Sequence, residues 1–471
     1  MAKGAVPSSL RLAHAFVLSP EAVLALVDVA TAERGPVDRY LIPFVTGDRG
    51  IREAIDGDGT WRALAAAIAE GRTIPAMGRE GQADPAHADD AASSPGPVEA
   101  ALVCRPSAGL EDLWPAAPGG VATADEAPLG RDQSNASVVI GERLLLKAYR
   151  RIQPGLNPDL ELTAYLSEEA SFPGVPRLAG WAEAVTRDGG VATIAMLQAF
   201  VADAEDVYER TADGLAELIA APGSVSLEWA TQLAADLGTL VAGLHGALAT
   251  PPADAPDLAP RPATHDELKA WRTDAHRQLN RAIEVTAAVD PAVAADLRRW
   301  ASAIAARVSR FEAVATTPTV MRIHADLHLG QLLVADDGYR VIDFEGEPVR
   351  PIEERRRPDS PLRDVASLLR SLDHVARSAA RRAEARAGGP IERPGLDIEA
   401  WIARSRERFL ETYAEGLRRS GAPVTLDLDL LDAFEVAKEA YEFVYAATVL
   451  PDWLWAPHGG MRWLMEHGEP A

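Results

Sequence analysis

The chain has one cysteine, Cys104, in 471 residues. An intrachain disulfide is therefore impossible, and the composition suits a reducing cytosol with Cys104 as a small buried apolar residue. Long apolar runs are missing too: nowhere do about eighteen apolar residues follow one another, and the N-terminus has Lys3 but no apolar run ending in a cleavage site. The expectation is a soluble cytoplasmic protein. Positive charge is scarce, 47 Lys and Arg against 70 Asp and Glu, for a net charge of −23. That balance argues against nucleic acid or an anionic membrane as partner. An anionic substrate would need a local basic group or a cation to offset the global field.

What is present centres on residues 321–347, MRIHADLHLGQLLVADDGYRVIDFEGE. His324, Asp326 and His328 stand at alternate positions and Gln331 follows. Apolar segments on either side of Asp337-Gly338 then predict strand, turn, strand, closing on Asp343 and Glu345. Carboxylates and an amide oxygen around one hairpin suit phosphoryl transfer. The transferred group carries charge that calls for Mg²⁺ on hard oxygen ligands, and the attacking hydroxyl needs one carboxylate to take its proton. The spacing is that of a kinase catalytic loop, where an amide ligand follows the base and an Asp-Phe pair follows a short hairpin. Asp326 takes the place of the base, and Gln331 and Asp343 those of the metal ligands. Gln stands in place of Asn, and Glu345 occupies the position of Gly in protein kinases, as a further metal contact. His324 joins the acceptor side of the loop.

HADLHLGQ, IDFEGEP and DSPLRDVASLLRS together resemble the maltokinase branch of the aminoglycoside-phosphotransferase-like kinases, a group that includes actinobacterial sugar and aminosugar kinases. The resemblance runs from Gly130 to Trp455. It implies an α+β protein with a eukaryotic-like two-lobed kinase fold and an N-terminal cap subdomain. Residues 1–115 are assigned to the cap, 116–200 to the small lobe, and 201–471 to a large, mainly helical lobe with the acceptor site. ATP and Mg²⁺ are the implied cofactors. Asp364 is the implied orienting residue, holding the catalytic loop through hydrogen bonds, with a plain helix-start charge as the alternative.

Taken in order, residues 1–80 read as a small α+β module whose helix, TWRALAAAIAEG, ends at Gly71. Residues 81–97 are almost entirely Ala, Asp, Ser, Gly and Pro and predict a mobile loop, after which EAALVCRP resumes a strand. In GRDQSNASVVIGERLLLKAYRR, Gln133, Ser134 and Ser137 belong to a small polar run able to present N–H and hydroxyl groups to phosphates, though such runs are ordinarily plain turns. Lys147 closes an apolar strand, as a phosphate-binding lysine does. Asn157-Pro158-Asp159 starts a helix with Glu161 in its first turn, a partner for Lys147 or a helix-dipole charge. Met196, Gln198 and Phe200 correspond to the hinge that meets adenine, or to a buried strand end. Small-residue helix packing is expected through Gly238 and Gly243, and His245 reads as a packing histidine. Arg355 to Arg357 reads as a solvated face, and ARSAARRAEARAGGPIERPG as an exposed helix end and loop.

The acceptor is sought in FEVAKEAYEFVYAATVLPDWLWAP. Aromatic rings stack on sugar C–H patches while carboxylates accept hydroxyl or ammonium protons, which selects Glu439, Glu442, Tyr445 and Trp455 as pocket walls. Core packing accounts for the same rings equally well. Maltokinases carry a pattern close to DKAVYEVVYEARNRPDW; here Lys438 and Glu442 are kept, but Ala437, Ala446 and Thr448 replace polar partners. A disaccharide pocket has lost contacts, so a smaller acceptor bearing an ammonium group, glucosamine, is the first expectation and maltose the second. The alternative of another class is a catalytically silent nucleotide-binding pseudokinase; against it, Lys147, Asp326, Gln331 and Asp343 are all present.

Overall fold

The computed structural model describes residues 7–31, 37–47, 50–77, 100–114, 120–130, 135–221, 223, 225–251, 258–346 and 351–467. The expected loop 81–97 and the candidate phosphate contacts Gln133 and Ser134 lie outside them. Two compact units form, one from residues 1–171 with 176–203 and the other from 172–175 with 204–471.

β-Branched and aliphatic residues in short runs make the first unit a sheet structure. β1 (Pro7–Ser19), β2 (Ala22–Thr31), β3 (Asp38–Gly47), β4 (Gly50–Glu53) and β10 (Arg151–Ile152) form one antiparallel sheet, in the order β1-β2-β3-β10 with β4 also on β3. β2 is buried on both faces. Leu24 and Leu26 enter the main core while Ala25, Val27 and Val29 meet Tyr40, Ile42 and Phe44 on the other side. The second sheet has the order β5-β6-β11-β12-β9-β8-β7. Its strands are β5 (Thr73–Pro75), β6 (Ala100–Pro106), β7 (Glu126–Pro128), β8 (Ala136–Ile140), β9 (Leu144–Ala148), β11 (Leu178–Thr186) and β12 (Val191–Ala199). Helix α1 (Thr60–Ala69) and one face of this sheet share a core with β1 and β2. β5 and β6 thus carry the early chain into the sheet built mainly from residues 126–199. Cys104 lies on β6 in that core, where burial pushes its thiol up to about 12. The turn α2 (Leu110–Leu113) and the helix α3 (Pro158–Ala164) complete the unit, α3 capped by the Asn157 side chain on the Asp159 N–H.

The second unit is helical. Its larger helices are α4 (Val207–Ala220), α6 (Gln232–Leu248), α7 (His265–Val289), α8 (Pro291–Val308), α10 (Pro361–Ala387), α11 (Ile398–Ser420), α12 (Leu428–Val449) and α13 (Trp455–His467); α5 (Leu227–Ala230) and α9 (Ile352–Arg355) are single turns. β13 (Glu205–Asp206), β16 (Leu332–Ala335) and β17 (Gly338–Val341) make a small sheet, and β14 (Arg261–Pro262) pairs with β15 (Thr319–Val320). The expected hairpin is β16 and β17, with Ala335 opposite Gly338 at the turn. The mixed α+β class follows. Among the described residues no helix is long and apolar enough to cross a membrane.

Two expectations fail, one of them in part. The run ARSAARRAEARA ends exposed, at Glu384–Ala387 where α10 stops, but Arg377, Ser378 and Ala379 in its first half are buried. Arg377 is buried because it is paired, forking onto Asp373 at 2.6 and 3.0 Å. Arg355 is not on a solvated face either; its side chain is 6% exposed and donates to the Glu345 carbonyl at 2.8 Å.

Helices α6 and α11 pack closely through glycines. A methyl group on Gly238 would meet Thr412 Oγ1 and the Phe409 carbonyl, and one on Gly416 would meet the Ala242 methyl. Gly238→Ala should therefore lower unfolding stability by about 1–3 kcal/mol although alanine is the better helix former; a denaturant titration that finds the variant more stable would contradict this packing.

Candidate active site

The 321–347 segment is held from below by one carboxylate. Asp364, at the start of α10 behind the Ser360 cap and Pro361, is 1% exposed. It accepts from the His324 N–H at 2.8 Å and from the Ala325 N–H at 2.9 Å. Ala325 has a left-handed φ of 70°, uncommon for a residue with a side chain, and the carboxylate stabilises that turn. Asp364 is itself backed by His245 of α6, whose Nε2 lies 3.4 Å from Oδ2 and whose Nδ1 meets the Tyr413 hydroxyl of α11 at 2.8 Å. The packing histidine thus stands directly behind the loop. His324, 1% exposed, turns inward: Nε2 donates to the Ile342 carbonyl at 2.9 Å and Nδ1 accepts from the Asp326 N–H at 3.3 Å. It positions the loop and does not open to an acceptor.

Asp326 is left with its carboxylate 25% exposed at the tip of this rigid turn. Beyond it the Gln331 N–H donates to the His328 carbonyl at 2.9 Å, and the Ile342 N–H returns to the Gln331 carbonyl at 3.0 Å. Gln331 Nε2 lies 3.2 Å from Asp343 Oδ2. Asp343 has a left-handed φ of 67°, and one of its carboxylate oxygens lies within 4.8 Å of one from Glu345. Two carboxylates and an amide that can turn its oxygen inward are a hard-oxygen donor set that fits Mg²⁺. The Arg355 guanidinium, 3.9 Å from the Glu345 carboxylate, fixes the far side of that turn.

In the first unit a transverse row crosses the second sheet. Ser137 of β8 is opposite Lys147 of β9, and Lys147 is opposite Met196 of β12, so all three share a face. Met196, 1% exposed, packs on Leu160 and Leu178, and Gln198, two residues on, is 7% exposed. The N–H groups of Ala199 and Phe200 are bonded to the Arg177 and Arg143 carbonyls at 2.8 Å. The hinge donors expected at Phe200 are therefore engaged within the protein. Lys147 Nζ lies 2.6 Å from Asp159, which is 1% exposed and also accepts from the Tyr149 hydroxyl at 3.1 Å. The sequence pointed to Glu161 as the partner. Asp159, two residues earlier in the same first turn of α3, meets the lysine. Glu161 is partly exposed.

The last helices sort the acceptor candidates. Lys438 of α12 lies 3.7 Å from Asp326 Oδ1 and 2.9 Å from Glu442 Oε1. Burial pulls the Lys438 ammonium down, but Glu442 and Asp326 beside it outweigh that and hold it above the usual lysine range. Burial pushes Glu442 up, and Lys438 overcomes it, leaving the carboxyl below its ordinary value. Glu439 is different: it is fully buried and accepts from His374 of α10 at 2.8 Å, so it faces the interior and is no wall of an open pocket. Burial holds its pKa high despite His374 and Arg370. Tyr445, 40% exposed, is one turn beyond Tyr441. Trp455 lies under the Arg381 guanidinium at 4.6 Å and meets Trp453 edge to face. His328, which burial keeps below the usual histidine pKa, lies on the loop beside Asp326 and Lys438.

A buried Lys–Asp pair on a sheet face and a carboxylate-amide-carboxylate hairpin held by a helix-start aspartate define a kinase-type phosphotransferase. The match to the phosphotransferase enzyme family, APH, covers residues 125–401, and the chain belongs to this family. It is 30% identical over 467 residues to the glucosamine kinase of Streptacidiphilus jiangxiensis, across 96% of this chain and 93% of that protein. It is also 30% identical over 353 residues to the glucosamine kinase of Mycolicibacterium smegmatis (strain ATCC 700084 / mc(2)155), across 73% of this chain and 80% of that protein. A solved glucosamine kinase in complex with glucosamine, ADP and inorganic phosphate is 27% identical, with a TM-score of 0.71 over 98% of this chain and 95% of that one. Crystal form B of a glucosamine kinase gives a TM-score of 0.74 at the same identity and coverage.

Asp364→Ala would leave the His324 and Ala325 N–H groups without their acceptor, at about 1–3 kcal/mol for each buried donor. We expect lower stability and a kcat at least about tenfold down with ATP affinity near parental, because the loop loses its position. Asp364→Asn, which keeps one acceptor oxygen, should fall between. Parental kcat in the Ala variant would remove the orienting role.

Proposed function

We propose that this chain is an ATP-dependent glucosamine kinase. One observation carries the chemistry: a solvent-reaching Asp326 carboxylate at the tip of a loop immobilised by Asp364, with Lys438 and Glu442 beside it. The likeness to glucosamine kinases over nearly the whole chain supports the acceptor.

In the reaction we infer, Asp326 accepts the proton of the acceptor hydroxyl as that oxygen forms its bond to the γ-phosphorus of ATP. The bond from phosphorus to the β–γ bridging oxygen breaks, giving a sugar phosphate and ADP. Lys147, kept extended by Asp159, holds α- and β-phosphate oxygens, and Ser137 and Met196 on the same sheet face line the nucleotide side. Gln331 and Asp343, with Glu345, would hold Mg²⁺, which when bound neutralises phosphate charge. Arg355 keeps the Glu345 turn from collapsing outward. Glu442 supplies negative charge for the ammonium group of the aminosugar, with Tyr445 and Trp455 on the outer wall. A disaccharide is disfavoured by the chemistry of α12: Ala437 and Ala446 offer no polar group, and the Thr448 hydroxyl is taken by the Val444 carbonyl at 2.7 Å.

ADP release measured across glucosamine, glucose, maltose and aminoglycosides tests the reading; phosphorylation of maltose alone would sink it. Asp326→Asn should bind ATP normally yet lose at least about 10²-fold in turnover. Asp343→Ala should weaken ATP binding in the presence of Mg²⁺ and leave Mg²⁺-free binding close to parental, as read by calorimetry. An unchanged Mg²⁺ dependence would show that Asp343 is not a metal ligand.

A further inference from the structure

Only four of the 47 basic residues are lysines: Lys3, Lys147, Lys269 and Lys438. Arginine supplies the buried structural pairs, as at Arg370 with Glu435 and Arg377 with Asp373. Lys438 breaks that habit at the one place where a cation stands next to Asp326. Its Nζ spans carboxylates from two different elements, 3.7 Å from Asp326 and 2.9 Å from Glu442. It also lies 4.8 Å from the Tyr441 ring centre. The three side chains are 25%, 19% and 16% exposed, so all reach solvent, whereas Glu439 next along the helix does not. A compact ammonium can satisfy two carboxylates on separate elements. A planar guanidinium would favour forking onto one of them.

We propose that Lys438 sets the charge of the acceptor site. This rests on the aminosugar reading above and deepens it. Asp326 and Glu442 carry two negative charges, and Lys438 cancels one, leaving a single net negative charge to match a single ammonium on the acceptor. Of the histidines nearby, His374 pairs with Glu439, His324 is bonded to the Ile342 carbonyl, and the half-buried His328, which faces Asp326, Lys438 and Glu442, accepts from the Gly330 N–H through Nδ1. Asp274 and Arg363 line the cavity of about 40 Å³ that also touches Lys438 and Ala325, and they are paired with Arg277 and Asp359. Lys438 thus has two effects. Its contact with Asp326 holds the base toward the reacting hydroxyl, which acts on every acceptor alike. Its charge repels an acceptor ammonium, which acts on glucosamine and leaves glucose untouched.

A competition experiment separates the two. An equimolar mixture of glucosamine and glucose is phosphorylated to low conversion, and the ratio of the two sugar phosphates, read by ³¹P NMR, gives the ratio of their kcat/KM values. Loss of active protein or of kcat cancels from this ratio. Lys438→Gln keeps a hydrogen-bonding group between the carboxylates and removes the charge; it should lower turnover on both sugars yet raise the glucosamine-to-glucose ratio about tenfold, the size expected for one partly exposed charge nearby. Lys438→Arg keeps the charge and should hold the ratio within about twofold of the parent while turnover still drops. Glu442→Gln should move the ratio about tenfold the opposite way. Opposite signs for the two neutral substitutions are something that general damage to α12 cannot produce. Where Lys438→Gln forms too little product, glucosamine and glucose affinities measured by calorimetry on it and on Lys438→Met give the same ratio. A ratio that is flat or falls in Lys438→Gln and Lys438→Met overturns the proposal. A parent that phosphorylates other sugars and leaves glucosamine untouched overturns the aminosugar reading and this proposal with it, and that outcome is visible in the parent alone.

Discussion

The second unit depends on the Asp364 carboxylate. Its two oxygens take the N–H groups of two successive residues, His324 and Ala325, at a point where the backbone enters the left-handed region. Without an acceptor those donors would be buried and unsatisfied, and an alanine would have no reason to stay there. The carboxylate is placed by the first turn of α10, which the Ser360 cap and Pro361 start at a fixed residue. It is kept from rotating by His245, and His245 by Tyr413. Three helices therefore converge on one turn of chain. Asp326 inherits its direction from that convergence, with the Lys438 ammonium 3.7 Å from its carboxylate.

Behind α12 the interior is unusually ionic. Arg370 meets Glu435 at 3.0 Å, Arg406 meets Glu435 at 2.8 Å, and His374 meets Glu439 at 2.8 Å, with Glu435 and Glu439 fully buried. Burying such pairs brings little net stability over an apolar core, but removing one partner costs about 3–5 kcal/mol because the other charge stays behind. What they add is specificity of position. An apolar face lets a helix slide by a fraction of a turn, whereas the Arg370 and His374 pairs are satisfied in one register of α10 against α12, and the Arg406 pair in one register of α11 against it. Lys438 and Glu442 lie on the helix so fixed, one turn and less from Glu439. The site borrows its geometry from charges it never exposes.

Parts of this were legible in the sequence for definite reasons. The β16–β17 hairpin shows in the alternation around Asp337-Gly338, and the start of α10 in its cap and proline, because each is specified by residues within a few positions. The part of Asp159 was not legible. It shares the first turn of α3 with Glu161, and nothing in the residue types shows that Asp159 meets Lys147. Arg355, Arg377 and Glu439 were misplaced for a common reason. A charged residue reads as surface wherever its partner is distant in sequence or not recognised as one, and Glu439 is separated from His374 by 65 residues. The hinge differs again. Its strand was visible, but the commitment of the Ala199 and Phe200 N–H groups depends on Arg177 and Arg143, which no pattern in β12 announces.

Charge placement resolves the oddity of an acidic chain in a phosphotransferase family, whose transferred group is itself anionic. With a net charge of −23, long-range attraction for a nucleotide is absent, so positive charge must act at contact distance. The arginines described above are mostly paired within the fold: those in α10 and α11 lock carboxylates, and Arg355 grips the Glu345 turn. Two lysines offer a compact charge with adaptable donors instead, Lys147 on Asp159 and Lys438 between Asp326 and Glu442. In both places the carboxylate keeps the ammonium extended at little entropic cost when a ligand arrives, since the side chain is already ordered. A lysine so held can exchange part of its hydrogen bonding for a phosphate or a hydroxyl without moving its backbone. An arginine bonded to a carboxylate by two parallel contacts would have to break both. In a sequence that prefers arginine, Lys147 and Lys438 are thus the lysines set against carboxylates; the exposed Lys269 of α7 shows that a lysine is no such mark by itself, and the arginines of α10 and α11 mark where cations hold the fold.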